Sequence, residues 1–248
     1  MNQEVLMLIT YIHHSCFSVE TEQCVFLFDY YKGNIPSFSK EKQLFVFSSH
    51  SHQDHFNHEI FKLMDEYPQI TYILSKDIHV RKSFFEDPAA YEVIKNHIIT
   101  IDKNETLTLS SSLTIETFRS TDKGVAFLLT ENGRTLYHAG DLNWWVWKDD
   151  TKAEYQNMTK KFKSEMEKLN GRKIDVAFLV LDPRQEENYF IGFDFFMQNT
   201  NTTVAFPMHF WLDYSIIDKF KASEEAAPYK NKIMEITEEG QTFEITDH

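Results

Sequence analysis

A layered α/β sandwich is the fold class this sequence predicts, and three observations lead to it. Short β-rich runs crowd the first half of the chain, helical patterns interrupt them, and a later run, Asp-Val-Ala-Phe-Leu-Val-Leu at 175–181, has no polar residue after its first. Strands that need cover on both faces, alternating with amphipathic helices, pack as layers around one core.

In chain order, the β-rich runs fall at residues 5–12, 16–19, 25–28, 44–47, 70–74, 97–101, 113–118, 125–130 and 135–138, most of them separated by polar or Gly-containing turns. Ile60, Leu63, Met64 and Tyr67 then recur at helical spacing. So do Tyr155, Met158, Phe162, Met166 and Leu169 along a charged segment, which predicts a helix covering a sheet. The apolar run at 175–181 reads as a strand buried on both faces, with the polar loop Asp182-Pro183-Arg184-Gln185 at its carboxyl end. In such folds ligands gather outside the carboxyl ends of strands. The loops after Phe47, His138, Leu181 and Phe206 are therefore where chemistry is expected.

Composition bounds the function. With 248 residues, 42% of them hydrophobic, and no repeat, low-complexity tract or linker, residues 1–248 are expected to form a single domain. A net charge of −13, relieved by no basic block longer than Lys160-Lys161-Phe162-Lys163, argues against a nucleic-acid partner. No apolar stretch approaches the ~20 residues a bilayer requires, so no membrane partner is expected. The N-terminal segment lacks a cationic region and a small-residue cleavage site. Cys16 and Cys24 then read as thiols of a cytoplasmic protein rather than a disulfide.

The chemistry concentrates in SSHSHQDHFNH at 48–58, where His50-x-His52-x-Asp54-His55 stands between a strand and a helical pattern. Two histidines at i and i+2 can point toward one centre, and Asp54 with His55 reach a second point as the chain turns. Imidazole with carboxylate suits zinc, and also iron or manganese, at ligand distances of ~2.0–2.2 Å.

HSHQDH resembles the HxHxDH signature of the metallo-β-lactamase superfamily. Tyr137-His138-Ala139-Gly140-Asp141 is similar to that family's Gly-Asp element, and Pro207-Met208-His209-Phe210 to its final histidine element. The opening Tyr11-Ile-His-His-Ser-Cys-Phe17 resembles the Gly-His-Ser-x-Phe start of the branch containing L-ascorbate-6-phosphate lactonase, with His14 at the family's histidine and His13 in place of its glycine. The resemblance implies a four-layer αββα sandwich and one or two divalent metal ions, with zinc first and manganese or iron as alternatives. His50 and His52 would bind one ion, Asp54, His55 and His209 the other, and Asp141 would lie between them.

One position departs from the family pattern. Before the Gly-x-x-Phe hairpin the family usually has a histidine, whereas residues 118–127 read Phe-Arg-Ser-Thr-Asp-Lys-Gly-Val-Ala-Phe. Three arrangements are compatible: Asp122 binds instead, His14 swings in, or a single metal is held by Asp54, His55, His209 and Asp141. Asp122 before Lys-Gly is also ordinary turn chemistry. A carboxylate in place of imidazole would favour manganese or iron somewhat more.

The implied activity is hydrolysis of a small ester, lactone, amide or phosphoester by metal-activated hydroxide, with Asp54 and His14 as the catalytic candidates. All four tryptophans stand near a proposed ligand. Trp144, Trp145 and Trp211 are candidate substrate contacts, and three tryptophans within residues 144–147 cannot all face inward. Arg184 is either an anion clamp for the substrate or a salt-bridge partner of Asp182 or Glu186. His13 and His138 read as donors that orient ligands. His58, His79, His97 and His248 read as surface or structural. A mononuclear iron dioxygenase and a metal-binding sensor are the competing functions; a nuclease would normally add a basic surface or an inserted domain.

Overall fold

The structure is a computed structural model that describes residues 7–246; Val5 and Leu6 of the first expected strand, and His248, lie outside the described residues. The chain runs β1 (Met7–His13), β2 (Cys16–Glu20), β3 (Cys24–Phe28), β4 (Gln43–Ser48), β5 (Thr71–Ser75), α1 (Pro88–Ile94), β6 (Ile98–Ile101), β7 (Thr106–Thr108), β8 (Leu113–Arg119), β9 (Val125–Glu131), β10 (Arg134–His138), α2 (Lys152–Met166), β11 (Lys173–Val180), α3 (Ile191–Asn199), β12 (Asn201–Met208), α4 (Ser215–Lys221) and β13 (Thr242–Ile245). These elements fall into two compact units, residues 1–101 with 238–248, and residues 102–237.

The first unit holds a seven-stranded sheet in the order β13-β1-β2-β3-β4-β5-β6. Its β13, β1, β2 and β3 pair antiparallel, and β3 through β6 run parallel. The β1–β2 hairpin turns at His14, whose φ of 53° lies in the left-handed region that a non-glycine residue adopts only where its surroundings hold it. The helix expected around Ile60 to Tyr67 forms as a 3₁₀ segment, His58–Asp65, capped by the Asn57 side chain on the Glu59 amide. Pro68, three residues past its end, bars a helical continuation, while Ile60 and Phe61 are buried all the same. Its core gathers Ile12, Leu27, Val46, Phe61, Tyr72 and Leu74.

The second unit holds a six-stranded sheet in the order β12-β11-β10-β9-β8-β7. Strands β7 to β10 form an antiparallel meander and β10 to β12 run parallel, so α2 and α3 serve as the crossovers. Asn132-Gly133, with φ of 49° and 82°, makes the tight β9–β10 turn that right-twisted strands favour. Helix α2 starts on a reciprocal cap in which the Thr151 side chain meets the Glu154 amide and the Glu154 side chain meets the Thr151 amide. Phe162, Met166 and Leu169 of the expected stripe are buried, whereas Tyr155 at its start is exposed. Strand β11 is buried from Val176 through Val180, as the unbroken apolar run requires. No helix of the described residues is long and apolar enough to cross a membrane.

Candidate metal centre

In the first unit the donors sit on two loops, the β1–β2 turn and the segment after β4. Asp29, which directly follows β3 with a φ of 44° and is fully buried, organises them. Its Oδ1 accepts the Ser49 amide at 2.6 Å, and its Oδ2 accepts the Ser49 hydroxyl at 2.6 Å and His55 Nδ1 at 2.7 Å. The protonation pattern follows from this. A carboxylate only accepts, so His55 carries its proton on Nδ1; Ser49 spends its only hydrogen on Asp29, so at 3.0 Å it accepts from His50 Nδ1. Both rings then direct an Nε2 lone pair away from Asp29. His50 Nε2 lies 3.1 Å from His52 Nδ1, and His55 Nε2 lies 3.9 Å from Asp54 Oδ2.

His14 joins this cluster, with its Nε2 3.4 Å from Asp54 Oδ2 and its ring 5.8 Å edge-on from that of His55. The ligand atoms of His14, Asp54 and His55 all lie within 4.8 Å of one another. Beside them His13 bonds Glu239 through Nδ1 and the Tyr31 hydroxyl at 2.8 Å through Nε2. Burial, with the Asp54 and Glu239 charges adding to it, raises the Tyr31 pKa. Asp77 is opposed by burial, but hydrogen bonds from Ser75 and Ser51 hold its carboxyl below the usual range and pin the backbone between His50 and His52.

In the second unit the donors come from the turn after β8 and the loops after β10 and β12. Thr121 ties the first two together by donating to the Asp141 and Asn143 carbonyls at 3.1 and 2.6 Å. The ligand atoms of Asp122 and Asp141 then come within 4.8 Å. His138 Nδ1 accepts the Gly140 amide at 3.1 Å, which fixes the turn that carries Asp141 and leaves the ring proton on Nε2. His209, at a φ of 67°, bonds Asp182 through Nδ1 at 2.9 Å and sets Nε2 3.4 Å from Asp141 Oδ1. Burial opposes the ionisation of Asp182, but hydrogen bonds from His209 and Arg184 outweigh it and hold its carboxyl at about 2.

Arg184 takes the salt-bridge alternative with Asp182, through Nη2 at 2.5 Å, while its guanidinium lies 4.5 Å over the Trp211 ring. The tryptophans separate. Trp144 stacks on Phe162 and donates to Thr159 of α2, whereas Trp145 and Trp211 each stand edge-on to His209, at 5.6 and 5.7 Å. Trp147 and Trp211 are the exposed members of this group, Trp147 stacked on Trp145 at 5.7 Å. His58 stacks on Phe84, and His97 bonds the Ile70 carbonyl, as structural histidines do. Cys16 and Cys24 are not joined by a disulfide.

Sequence reasoning missed Asp29, Tyr31 and Glu239, and saw Asp182 only as a partner for Arg184. Their donor sets nevertheless fit a divalent cation. A singly protonated imidazole bonded through Nδ1 has an acceptor at Nε2, and both His55 and His209 aim that acceptor at a carboxylate oxygen. Acceptor facing acceptor is repulsive unless a cation or a second ring proton lies between them.

Residues 8–156, more than half of the chain, match the family described as the beta-lactamase superfamily domain. The chain belongs to this superfamily. Among solved structures this superfamily member is similar to Igni18, a metallo hydrolase from Ignicoccus hospitalis, at 18% identity over 97% of this chain and 98% of that one, with a TM-score of 0.64. It is also similar to an isothiocyanate hydrolase from Delia radicum gut bacteria at 13% identity, over 97% and 100% of the two chains, with a TM-score of 0.52. CmlA, a diiron beta-hydroxylase from Streptomyces venezuelae, matches at 12% identity over 99% of this chain and 55% of its own, with a TM-score of 0.58. A comparison with curated proteins finds no match. These likenesses establish the superfamily's α/β fold with its two sheets.

Proposed function

We propose that this superfamily member is a metal-dependent hydrolase of a small ester, lactone, amide or phosphoester. The reading assigns His50, His52, Asp54, His55, Asp141 and His209 to the metal ions, as the resemblance implies, with Asp122 serving where the usual histidine is missing. The opposition of His55 Nε2 to Asp54 and of His209 Nε2 to Asp141 carries it, since a cation held at each pair turns a repulsive contact into ligation. When bound, one or two divalent ions (zinc first, manganese or iron as alternatives) supply Lewis acidity and bring the pKa of water toward about 7.

The chain's own residues do the rest. Asp54, with its side chain 27% exposed, orients the attacking water and receives its proton, and His14 at 3.4 Å holds that carboxylate and stands next in line for the proton. Asp29 and Asp182 keep His55 and His209 from rotating. Trp145 and Trp211 exclude water around His209 and offer flat surface to a ring or acyl group, with Arg184 laid over Trp211. Placement near the L-ascorbate-6-phosphate lactonase branch, resting on residues 11–17, belongs to the same proposal.

Elemental analysis paired with an ester, lactone and phosphodiester screen tests it. Stoichiometric metal and turnover that is lost on chelation and restored by metal are expected; bound metal without turnover on any substrate class would favour a sensor. A second reading, oxidative iron chemistry, draws on the Asp122 and Asp141 carboxylates, which harden the donor set. Substrate-dependent oxygen uptake by iron-loaded protein would select it.

A further inference from the structure

In the second unit a cavity of about 310 Å³ lies between the turn after β8 and one face of α2. Asn157, Lys160, Lys161 and Ser164 line it from α2 at helical i, i+3, i+4 and i+7 spacing, and Arg119 and Asp122 line it from the turn. Among the described residues the side chains of Arg119, Lys160 and Lys161 have no ion-pair or hydrogen-bond partner. Glu165, also in the lining, stands four residues after Lys161 but turns instead to Lys168 at 2.5 Å and to the Arg119 amide at 3.2 Å. Three cations therefore line one cavity against two carboxylates, Asp122 and Glu165, in a chain whose net charge is −13. The cations repel one another, and the cavity keeps one positive charge more than its carboxylates offset.

We propose that this cavity is an oxyanion subsite, and that the substrate is an anionic small molecule whose carboxylate or phosphate is held by Arg119, Lys160 and Lys161. This rests on the hydrolase reading, because Asp122 belongs both to the cavity wall and to the carboxylate pair with Asp141. An anion in the cavity thus lies beside Asp122, a candidate metal ligand on that reading. Ser164 and Asn157 add neutral hydrogen-bonding groups, and the volume exceeds that of a lone oxyanion, leaving room for the adjoining part of the substrate.

The test is calorimetric titration of inorganic phosphate, and separately of acetate, into chelator-treated wild type, the Lys160→Gln/Lys161→Gln variant and a charge-matched control, Lys103→Gln/Lys230→Gln. Removing two charged donors should weaken phosphate binding about tenfold or more, with the control unchanged and with affinity falling as salt rises. Acetate binding as tightly as phosphate identifies a carboxylate occupant; phosphate alone identifies a phosphoryl one. Equal affinity in the variant and the control, or no binding to wild type, overturns the proposal. Because the titration needs neither metal nor turnover, it fails independently of the hydrolase reading, which metal content and the substrate screen decide. Where turnover exists, the variant should raise KM for an anionic ester about tenfold relative to its neutral isostere.

Discussion

Replacing Asp182 by asparagine removes one charge from beneath His209 while keeping the side chain's shape. In the native protein the carboxylate accepts from His209 Nδ1, from Arg184 Nε and Nη2, and at 3.4 Å from Trp211 Nε1, all while its side chain is fully buried. These partners move its pKa from 3.8 to about 2. At about 1.4 kcal/mol per unit, the native state's preference for the ionised form is worth about 2 kcal/mol. The folded pKa is depressed, so this stability is fully present above the unfolded value near 4 and is lost as pH falls toward about 2. Asparagine can accept from one partner but turns an N–H toward another. The variant should therefore lose about 2 kcal/mol at pH 7, or about 4–8 °C of melting temperature for a chain of this size. Urea denaturation of chelator-treated wild type and variant at pH 7, 5 and 3 reads the effect, and the difference between the two proteins should shrink between pH 4 and pH 2. Metal affinity at pH 7 should fall ten- to a hundredfold, about what losing an outer partner of a ligand costs. A stability gap that does not change with pH, or unchanged metal affinity, would refute the reasoning.

Asp54→Ala should abolish turnover while costing less stability than loss of a core side chain, because the Asp54 side chain is 27% exposed; full turnover in the variant would remove it from the mechanism. His209→Ala should lower the metal content measured by elemental analysis, and unchanged stoichiometry would exclude it as a ligand. Gly192→Ala should destabilise the protein by about 1–3 kcal/mol in thermal melts, since a Cβ there would stand 1.9 Å from Asn143 Oδ1 and 2.9 Å from the Trp144 amide. The change should also disturb the Asn143–Gln185 bond and the loop that carries Asp141.

The candidate donors were legible because they carry local information. His50, His52, Asp54 and His55 stand together, and Asp141 and His209 follow runs that read as strands. Helix α2 was equally plain, since its stripe and the Thr151-x-x-Glu154 cap both lie within a few residues of one another. What could not be read locally are the groups that orient the donors. Asp29 lies 26 residues before His55, and Asp182 lies 27 before His209. In sequence each is a lone aspartate after an apolar run, indistinguishable from turn chemistry. Strand β13 was hidden for the same reason, pairing with β1 from the far end of the chain.

A signal for these groups nevertheless existed. Asp29 follows β3 and Asp182 follows β11, and both strands pair parallel with a neighbour, so each aspartate sits at a carboxyl end where ligands gather. The rule picked out the loop after Leu181 but not the one after Phe28, because β3 also belongs to an antiparallel hairpin and its run gives no sign of its parallel partner. The same limit applies to Asp122. Its turn sequence was plain, but its approach to Asp141 depends on Thr121 bonding the Asp141 and Asn143 carbonyls from 20 and 22 residues away. A donor motif can therefore be recognised from spacing, whereas the tautomer of each imidazole, and with it the ability to ligate, is set by buried carboxylates that only the folded sheet brings into place.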